Sequence, residues 1–110
     1  MNHETSKFNR EFATVKPSIL ARDGMRCSIA GDEVQHFGVM DVDHIVKRSL
    51  RGTNEVTNLI TLCRGCHNNY EIMNPYRKVS LLRSILSEKY GYAYDDKYTP
   101  KVPEQPVDNL

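Results

Sequence analysis

The segment Leu62-Cys-Arg-Gly-Cys-His67 places two cysteines and a histidine within five consecutive positions. The pattern Cys63-x-x-Cys66-His67 is the spacing of a c-type haem attachment site, and a Cys-x-x-Cys pair is equally half of a zinc site. A haem attachment site and a zinc site need different residues elsewhere in the chain. The rest of the chain therefore has to decide between them.

The cysteine count and the N-terminus favour metal binding over haem. The chain has three cysteines, an odd number, and starts Met-Asn-His-Glu-Thr-Ser-Lys, without the basic start and apolar core of a signal peptide. No stretch approaches eighteen apolar residues, so we expect a cytoplasmic protein with no membrane partner. In a reducing compartment the cysteines bind metal or lie buried as thiols, and covalent haem attachment is not expected.

Length and composition predict one soluble domain. The chain has 110 residues, 39% hydrophobic and 26% charged, with a formal net charge of +1. An anionic partner must therefore be bound by a local cluster of Lys and Arg rather than by the overall charge. We expect a loosely held arm over residues 1–14, one domain over 15–92, and a disordered or extended tail over 93–110 with three prolines.

Local patterns predict a mixed α+β domain. Proline suits the first turn of a helix and glycine the position just past its end, which predicts a short helix over 17–24. β-Branched residues predict strands over 39–46 and 58–63, joined by a polar loop of about a dozen residues. A helix should begin near Gly65, and an amphipathic helix should run from 75 to 90, burying Val79, Leu82, Ile85 and Leu86.

Placed in chain order, the polar residues form a pattern that none of them forms alone. The order is Cys27, Asp43-His44, Asn58 and Cys63-x-x-Cys66-His67, and the segments that carry it are 22–27, 42–45, 52–59 and 62–67. In this order and spacing they resemble the HNH endonuclease family over residues 22–71. The resemblance implies an α+β fold with a small ββα-metal motif, in which two strands, a loop and a helix hold one divalent cation, with further helices on its flanks.

The resemblance also implies a role for each motif residue. His44 would be the general base, which suits an imidazole because its pKa lies near working pH. Asp43 and His67 would bind one Mg²⁺, Mn²⁺ or similar ion, which prefers oxygen and imidazole ligands. Asn58 would hold the loop backbone that positions the base. Glu71, four residues after His67 on the same helical face, is a further possible ligand.

The cysteines depart from the family pattern. Many HNH proteins carry two Cys-x-x-Cys pairs around a structural zinc ion, but here the first pair reads Cys27-Ser-Ile-Ala30. Zinc at Cys27, Cys63 and Cys66 would need a fourth ligand. His36 or Asp32 can supply one, although no motif surrounds His36, which is otherwise expected to be structural. Without zinc, the thiols would pack as small hydrophobic side chains.

Four cations near the motif are the expected DNA contacts, because Lys and Arg against phosphates supply most of the affinity for DNA. They are Lys47, Arg48, Arg51 and Arg64. The resemblance implies duplex DNA as substrate, nicked or cut with modest specificity by a monomer or homodimer, with 5′-phosphate and 3′-hydroxyl products. The alternative is a non-catalytic zinc-ribbon module that binds nucleic acid or protein, in which Asp43 and His44 are incidental.

Overall fold

The computed structural model describes residues 3–29 and 36–95. Within these residues the chain forms three α-helices and one two-stranded antiparallel sheet. The predicted α+β class, with two strands followed directly by a helix, is confirmed. The elements in chain order are α1 (His3–Arg22), β1 (Met40–His44), β2 (Leu59–Cys63), α2 (Arg64–Glu71) and α3 (Pro75–Tyr90).

The sheet is short and its second strand is buried throughout. His44 pairs with Leu59 and Asp43 with Ile60, so both polar residues lie at the end of β1 where the chain enters the loop. All five residues of β2 are buried. On α3, Leu82 and Leu86 are fully buried in the same core cluster as Ile60, as the helical spacing predicted.

The N-terminal region differs from its prediction. Residues 3–14, expected to be a loosely held arm, lie in α1, and the short helix expected at 17–24 is the last part of α1 and ends at Arg22. Proline at position 17 cannot donate to the carbonyl four residues earlier, which normally breaks a helix. Here packing outweighs that loss, because Phe12, Val15 and Ile19 recur at helical spacing and contact a core of Val42 and Leu59.

The end of α1 is fastened to β2 and α3 by the buried carboxylate of Asp23. Its Oδ2 accepts a hydrogen bond from the Thr61 N–H at 3.0 Å, and its Oδ1 accepts one from the Tyr90 hydroxyl at 2.6 Å. The neighbouring Arg22 donates to the Leu59 carbonyl at 2.7 Å. Burial acts to raise the pKa of Asp23, but the bonds from Arg22 and Tyr90 outweigh it and lower the pKa below its ordinary value.

The loop between the strands is folded tightly onto itself. It contains two short 3₁₀ turns, Arg48–Leu50 and Val56–Asn58. Gly52 donates its N–H to the Lys47 carbonyl at 2.8 Å, and a Cβ at this position would lie 1.6 Å from the Val46 carbonyl oxygen. Only glycine fits such a close approach of two backbone segments.

Beyond α3 the described chain continues to residue 95 without helix or strand. The Tyr94 hydroxyl donates to the Thr57 carbonyl at 2.7 Å. The rest of the predicted tail, residues 96–110, lies outside the described residues. In the part of the chain that the structure describes, no helix is both long and apolar enough to cross a membrane.

Candidate functional site

Asp43, His67 and Glu71 form one cluster of possible metal ligands. Each offers one ligand atom, and these atoms all lie within 4.8 Å of one another. Asp43 is buried at the end of β1, His67 is half-buried, and Glu71 is exposed one helical turn later on α2. Asp43 Oδ2 and His67 Nδ1 are 3.8 Å apart. The cluster is therefore closed on the protein side and open to solvent at Glu71.

This cluster suits a hard divalent cation. Carboxylate oxygens and an imidazole nitrogen are ligands that Mg²⁺ or Mn²⁺ accepts, and the open side leaves positions for water and substrate. Among the described residues the buried atom His67 Nδ1 has no hydrogen-bond partner, and the buried atom Asp43 Oδ2 has only ion-pair contacts, with Lys78 and His67. Buried polar atoms without a partner are uncommon in folded proteins, and a bound cation would satisfy both. The residues present thus fit the ion that the HNH resemblance implies.

Two lysines lie against the same carboxylates. Lys78 Nζ is 3.3 Å from Asp43 Oδ2, and the residue is only 2% exposed. Lys47 Nζ is 3.3 Å from Glu71 Oε2 at the surface. Burial acts to raise the pKa of Glu71, but the hydrogen bond and charge of Lys47 outweigh it and lower the pKa below its ordinary value. Sequence reasoning missed Lys78, since a lysine on an amphipathic helix normally faces water.

His44 follows Asp43 directly in the chain but has different neighbours. Adjacent residues on a strand point to opposite faces, so Asp43 reaches α2 while His44 reaches α1. The ring of His44 lies 5.4 Å from that of Phe8 and 4.6 Å from that of Phe12, centroid to centroid. Its Nε2 is 2.8 Å from Asn54 Oδ1. The imidazole is half-buried and remains partly accessible.

Asn58 is buried and bonded to the loop backbone. Its Oδ1 accepts from the Val46 N–H at 2.9 Å, and its Nδ2 donates to the carbonyls of Val46 at 3.0 Å and Thr53 at 2.8 Å. The side chain therefore joins the two ends of the loop that follows His44. Its contacts in the described structure are with backbone atoms, so its effect on His44 is indirect.

Cys27, His36, Cys63 and Cys66 form a second cluster, with ligand atoms within 4.8 Å of one another. His36 Nδ1 lies 3.2 Å from the sulfur of Cys63 and 3.2 Å from that of Cys66. Three sulfurs and one imidazole nitrogen are a complete donor set for tetrahedral zinc. His36, which no sequence motif surrounds, thus stands where the fourth ligand was missing, whereas Asp32 lies outside the described residues.

The two thiols of the Cys-x-x-Cys pair differ in acidity. Burial acts to raise the pKa of Cys63, but hydrogen bonds from the Cys66 N–H and from His36 outweigh it, and the pKa falls to about 7. Burial, together with the neighbouring sulfurs, raises the pKa of Cys66 to about 12. Cys63 also caps α2, because its sulfur accepts the Cys66 N–H at 3.4 Å. The first cysteine of the pair therefore starts the helix that carries His67.

The cations expected to contact DNA do not form a single free cluster. Lys47 is paired with Glu71, and the Arg48 guanidinium lies 4.8 Å from the centre of the Phe8 ring. Arg51 is exposed. Arg64 is exposed and donates two hydrogen bonds to Asp41, at 2.6 and 3.0 Å.

Arg64 also lines an open groove of about 370 Å³ that leads to His67. Lys16 of α1 lines the same groove, although the sequence pattern did not single it out. Asp41, Val42 and Asn68 complete the lining. The groove thus brings two cations from separate helices next to the cluster of Asp43, His67 and Glu71.

Comparison with known proteins identifies the central segment. The HNH endonuclease family model matches residues 25–71, somewhat under half of the chain, and this segment holds both strands, the loop between them and α2. No curated protein and no solved structure matches the chain. The resemblance predicted from the sequence over residues 22–71 is therefore confirmed as a match of the HNH endonuclease family model to residues 25–71.

Proposed function

We propose that this protein is a metal-dependent endonuclease that hydrolyses phosphodiester bonds of duplex DNA. The observation that carries the proposal is the approach of Asp43, His67 and Glu71 to within 4.8 Å inside an HNH domain. Asp43 lies at the end of β1, and His67 and Glu71 lie on α2, the helix that Cys63 caps. His44 follows Asp43 directly and is partly accessible.

In this proposal Asp43, His67 and Glu71 hold a cation such as Mg²⁺ or Mn²⁺, which when bound supplies Lewis-acid stabilisation of charge on the phosphate. His44 accepts a proton from the attacking water while the water oxygen bonds to phosphorus. The bond from phosphorus to the 3′ oxygen breaks, leaving a 5′-phosphate. The 3′ oxygen takes a proton from solvent and becomes a hydroxyl.

Other residues bind and orient the substrate in this proposal. Asn58 holds the loop after His44 in one conformation through its bonds to Val46 and Thr53. Arg64 and Lys16 bind phosphates along the groove, with Lys47, Arg48 and Arg51 on the loop side. These contacts reach the DNA backbone, so we expect modest sequence preference. One site per chain predicts nicking by a monomer, and cutting of both strands would need two chains.

The second cluster has a structural role in this proposal. Zinc bound by Cys27, His36, Cys63 and Cys66 would join the segment before β1 to the start of α2. His67 follows Cys66 directly, so the zinc site would fix the turn of α2 that carries His67, a ligand of the catalytic ion in this proposal. The same donor set favours the rival function, a non-catalytic zinc module that binds nucleic acid or protein.

Nicking of a supercoiled plasmid separates the two functions. The full chain is incubated with plasmid and Mg²⁺ or Mn²⁺, beside His44→Ala and the control Glu88→Gln, which changes an exposed residue of α3. We expect metal-dependent nicking that falls by about 100-fold or more in His44→Ala, the usual contribution of a positioned base, and that Glu88→Gln retains. A wild-type protein that binds zinc and is inert with both ions would support the zinc module instead.

A further inference from the structure

Asn54 lies between His44 and helix α1 and is not used by any step of the proposed reaction. Its Oδ1 is 2.8 Å from His44 Nε2, and its Nδ2 donates to the Phe8 carbonyl at 3.0 Å. One amide group therefore contacts the proposed base and the backbone of α1 at once. Helix α1 ends at Arg22, outside the family match, whereas His44 and Asn54 both lie inside it, so the bond to Phe8 joins the matched segment to α1.

The two hydrogen bonds of Asn54 fix which nitrogen of the neutral imidazole carries the hydrogen. A backbone carbonyl only accepts hydrogen bonds, so the NH₂ group of Asn54 faces Phe8 and the amide oxygen faces His44. An amide oxygen also only accepts, and Nε2 of His44 must therefore carry the hydrogen. In the neutral ring the lone pair then lies on Nδ1, the nitrogen left to take a proton from water.

The aromatic side chains of α1 restrict the same ring. Phe8 and Phe12 of α1 lie against the imidazole, and Arg48 lies on the Phe8 ring, so the helix that accepts the Asn54 amide also packs on His44. A ring flip about the Cβ–Cγ bond would put Cε1 in place of Nε2 beside Asn54, exchange Nδ1 with Cδ2 and lose the hydrogen bond to Asn54. The hydrogen bond and the packing together oppose that rotation.

We propose that Asn54 is the positioning residue of His44, which selects the tautomer with hydrogen on Nε2 and is itself held by helix α1. The proposal rests on the proposed nuclease function. It differs from the role of Asn58, whose bonds run to the backbone of Val46 and Thr53. Asn54 contacts the imidazole itself and acts on the reaction through His44.

The tautomer can be measured without catalysis, by ¹⁵N NMR of the histidine rings in the full chain. We expect wild-type His44 to show hydrogen on Nε2, and Asn54→Ala to show a mixture of both tautomers. Asn54→Asp restores an acceptor for Nε2–H and should restore the wild-type tautomer, although it cannot donate to Phe8. The control is Asn69→Ala, an exposed asparagine of α2.

Kinetics give the second readout. We expect kcat for nicking to fall by about 10-fold or more in Asn54→Ala with KM little changed, since a displaced base loses part of the 10²–10⁴-fold that it contributes, and Asn54→Asp to recover part of the loss. The proposal would be overturned if His44 in Asn54→Ala still carried its hydrogen on Nε2 alone. If the wild type does not nick DNA at all, the nuclease proposal fails. The NMR comparison still decides whether Asn54 selects the tautomer of His44.

Discussion

The two ligand clusters are built on adjacent residues of one helix and yet have opposite chemistry. Cys66 belongs to the sulfur cluster and His67 to the carboxylate cluster. Successive residues on a helix point about 100° apart, so α2 presents a different face to each cluster. The sulfur cluster has three buried thiols and one imidazole, whereas the carboxylate cluster has two carboxylates, one imidazole and an exposed side. A closed set suits a structural ion, and an open set suits a catalytic one.

The clusters also differ in how their charge is balanced. In the sulfur cluster, the imidazole of His36 lies between two thiols. In the carboxylate cluster, Lys78 and Lys47 each lie 3.3 Å from a carboxylate. A divalent ion entering the carboxylate cluster therefore meets two positive charges, and its affinity should be lower than the same ligands would give alone. Weak and reversible binding suits an ion that also has to contact substrate.

The largest expected effect comes from Cys63→Ser. Structural zinc sites have apparent binding free energies on the order of 10 kcal/mol, comparable with the whole stability of a small domain. We expect this variant to lose bound zinc and cooperative thermal unfolding. Zinc content by mass spectrometry and unfolding by circular dichroism measure the two losses. Retained cooperative unfolding in a zinc-free variant would show that the thiols are only packed.

A double variant changes the carboxylate cluster and leaves no unpaired buried charge. Asp43→Asn combined with Lys78→Met removes both members of the ion pair, a change that is often nearly neutral for stability. We expect zinc content and cooperative unfolding to persist while plasmid nicking falls by about 100-fold or more. If zinc is lost as well, the two clusters form one unit rather than two.

Lys78→Met alone should have an intermediate effect on stability. Removing one partner of a buried ion pair leaves Asp43 as an uncompensated charge and typically costs about 3–5 kcal/mol. Added Mn²⁺ should then recover more stability in the variant than in the wild type, because the ion no longer competes with the ammonium. Thermal unfolding with and without Mn²⁺ measures this, beside Lys89→Met at an exposed position of α3. Equal Mn²⁺ effects in both proteins would contradict the competition.

The residues found from the sequence and those missed differ in the range of their contacts. Asp43, His67 and the cysteine pair stand in short motifs, where local spacing fixes both identity and element. Lys78 and Asn54, which the sequence did not single out, and His36, named only as one of two candidates for the fourth zinc ligand, acquire their partners from segments at least ten residues away.

Helix α1 was missed for the same reason. Pro17 and the polar residues before it outweighed the spacing of Phe12, Val15 and Ile19, which gains meaning only once a sheet is present to cover. Propensity is a weak guide where tertiary packing decides the outcome. The fold class, the motif cluster and the loop contacts of Asn58 were therefore predictable, whereas α1, Lys78 and Asn54 were not.

The smallest effect is expected at the groove that joins the carboxylate cluster to the solvent. Arg64→Ala removes one cation from this groove, and one phosphate fewer bound by the protein should make the slope of log affinity against log salt shallower by about 0.9 for duplex DNA. We expect several-fold weaker binding to duplexes of any sequence, since a cation against a phosphate carries no base preference. Asp41→Asn should strengthen binding, because it removes the carboxylate that holds the Arg64 guanidinium at 2.6 Å.

Fluorescence anisotropy across a salt series measures both variants, with Arg77→Ala, an exposed arginine of α3 outside the groove lining, as the matched control. Arg64→Ala and Arg77→Ala have the same change in net charge and differ only in position. A shared shift in slope would mean that DNA responds to overall charge. A shift confined to Arg64→Ala would mean that the DNA backbone follows the groove beside His67, and the carboxylate cluster would then be the one that meets substrate.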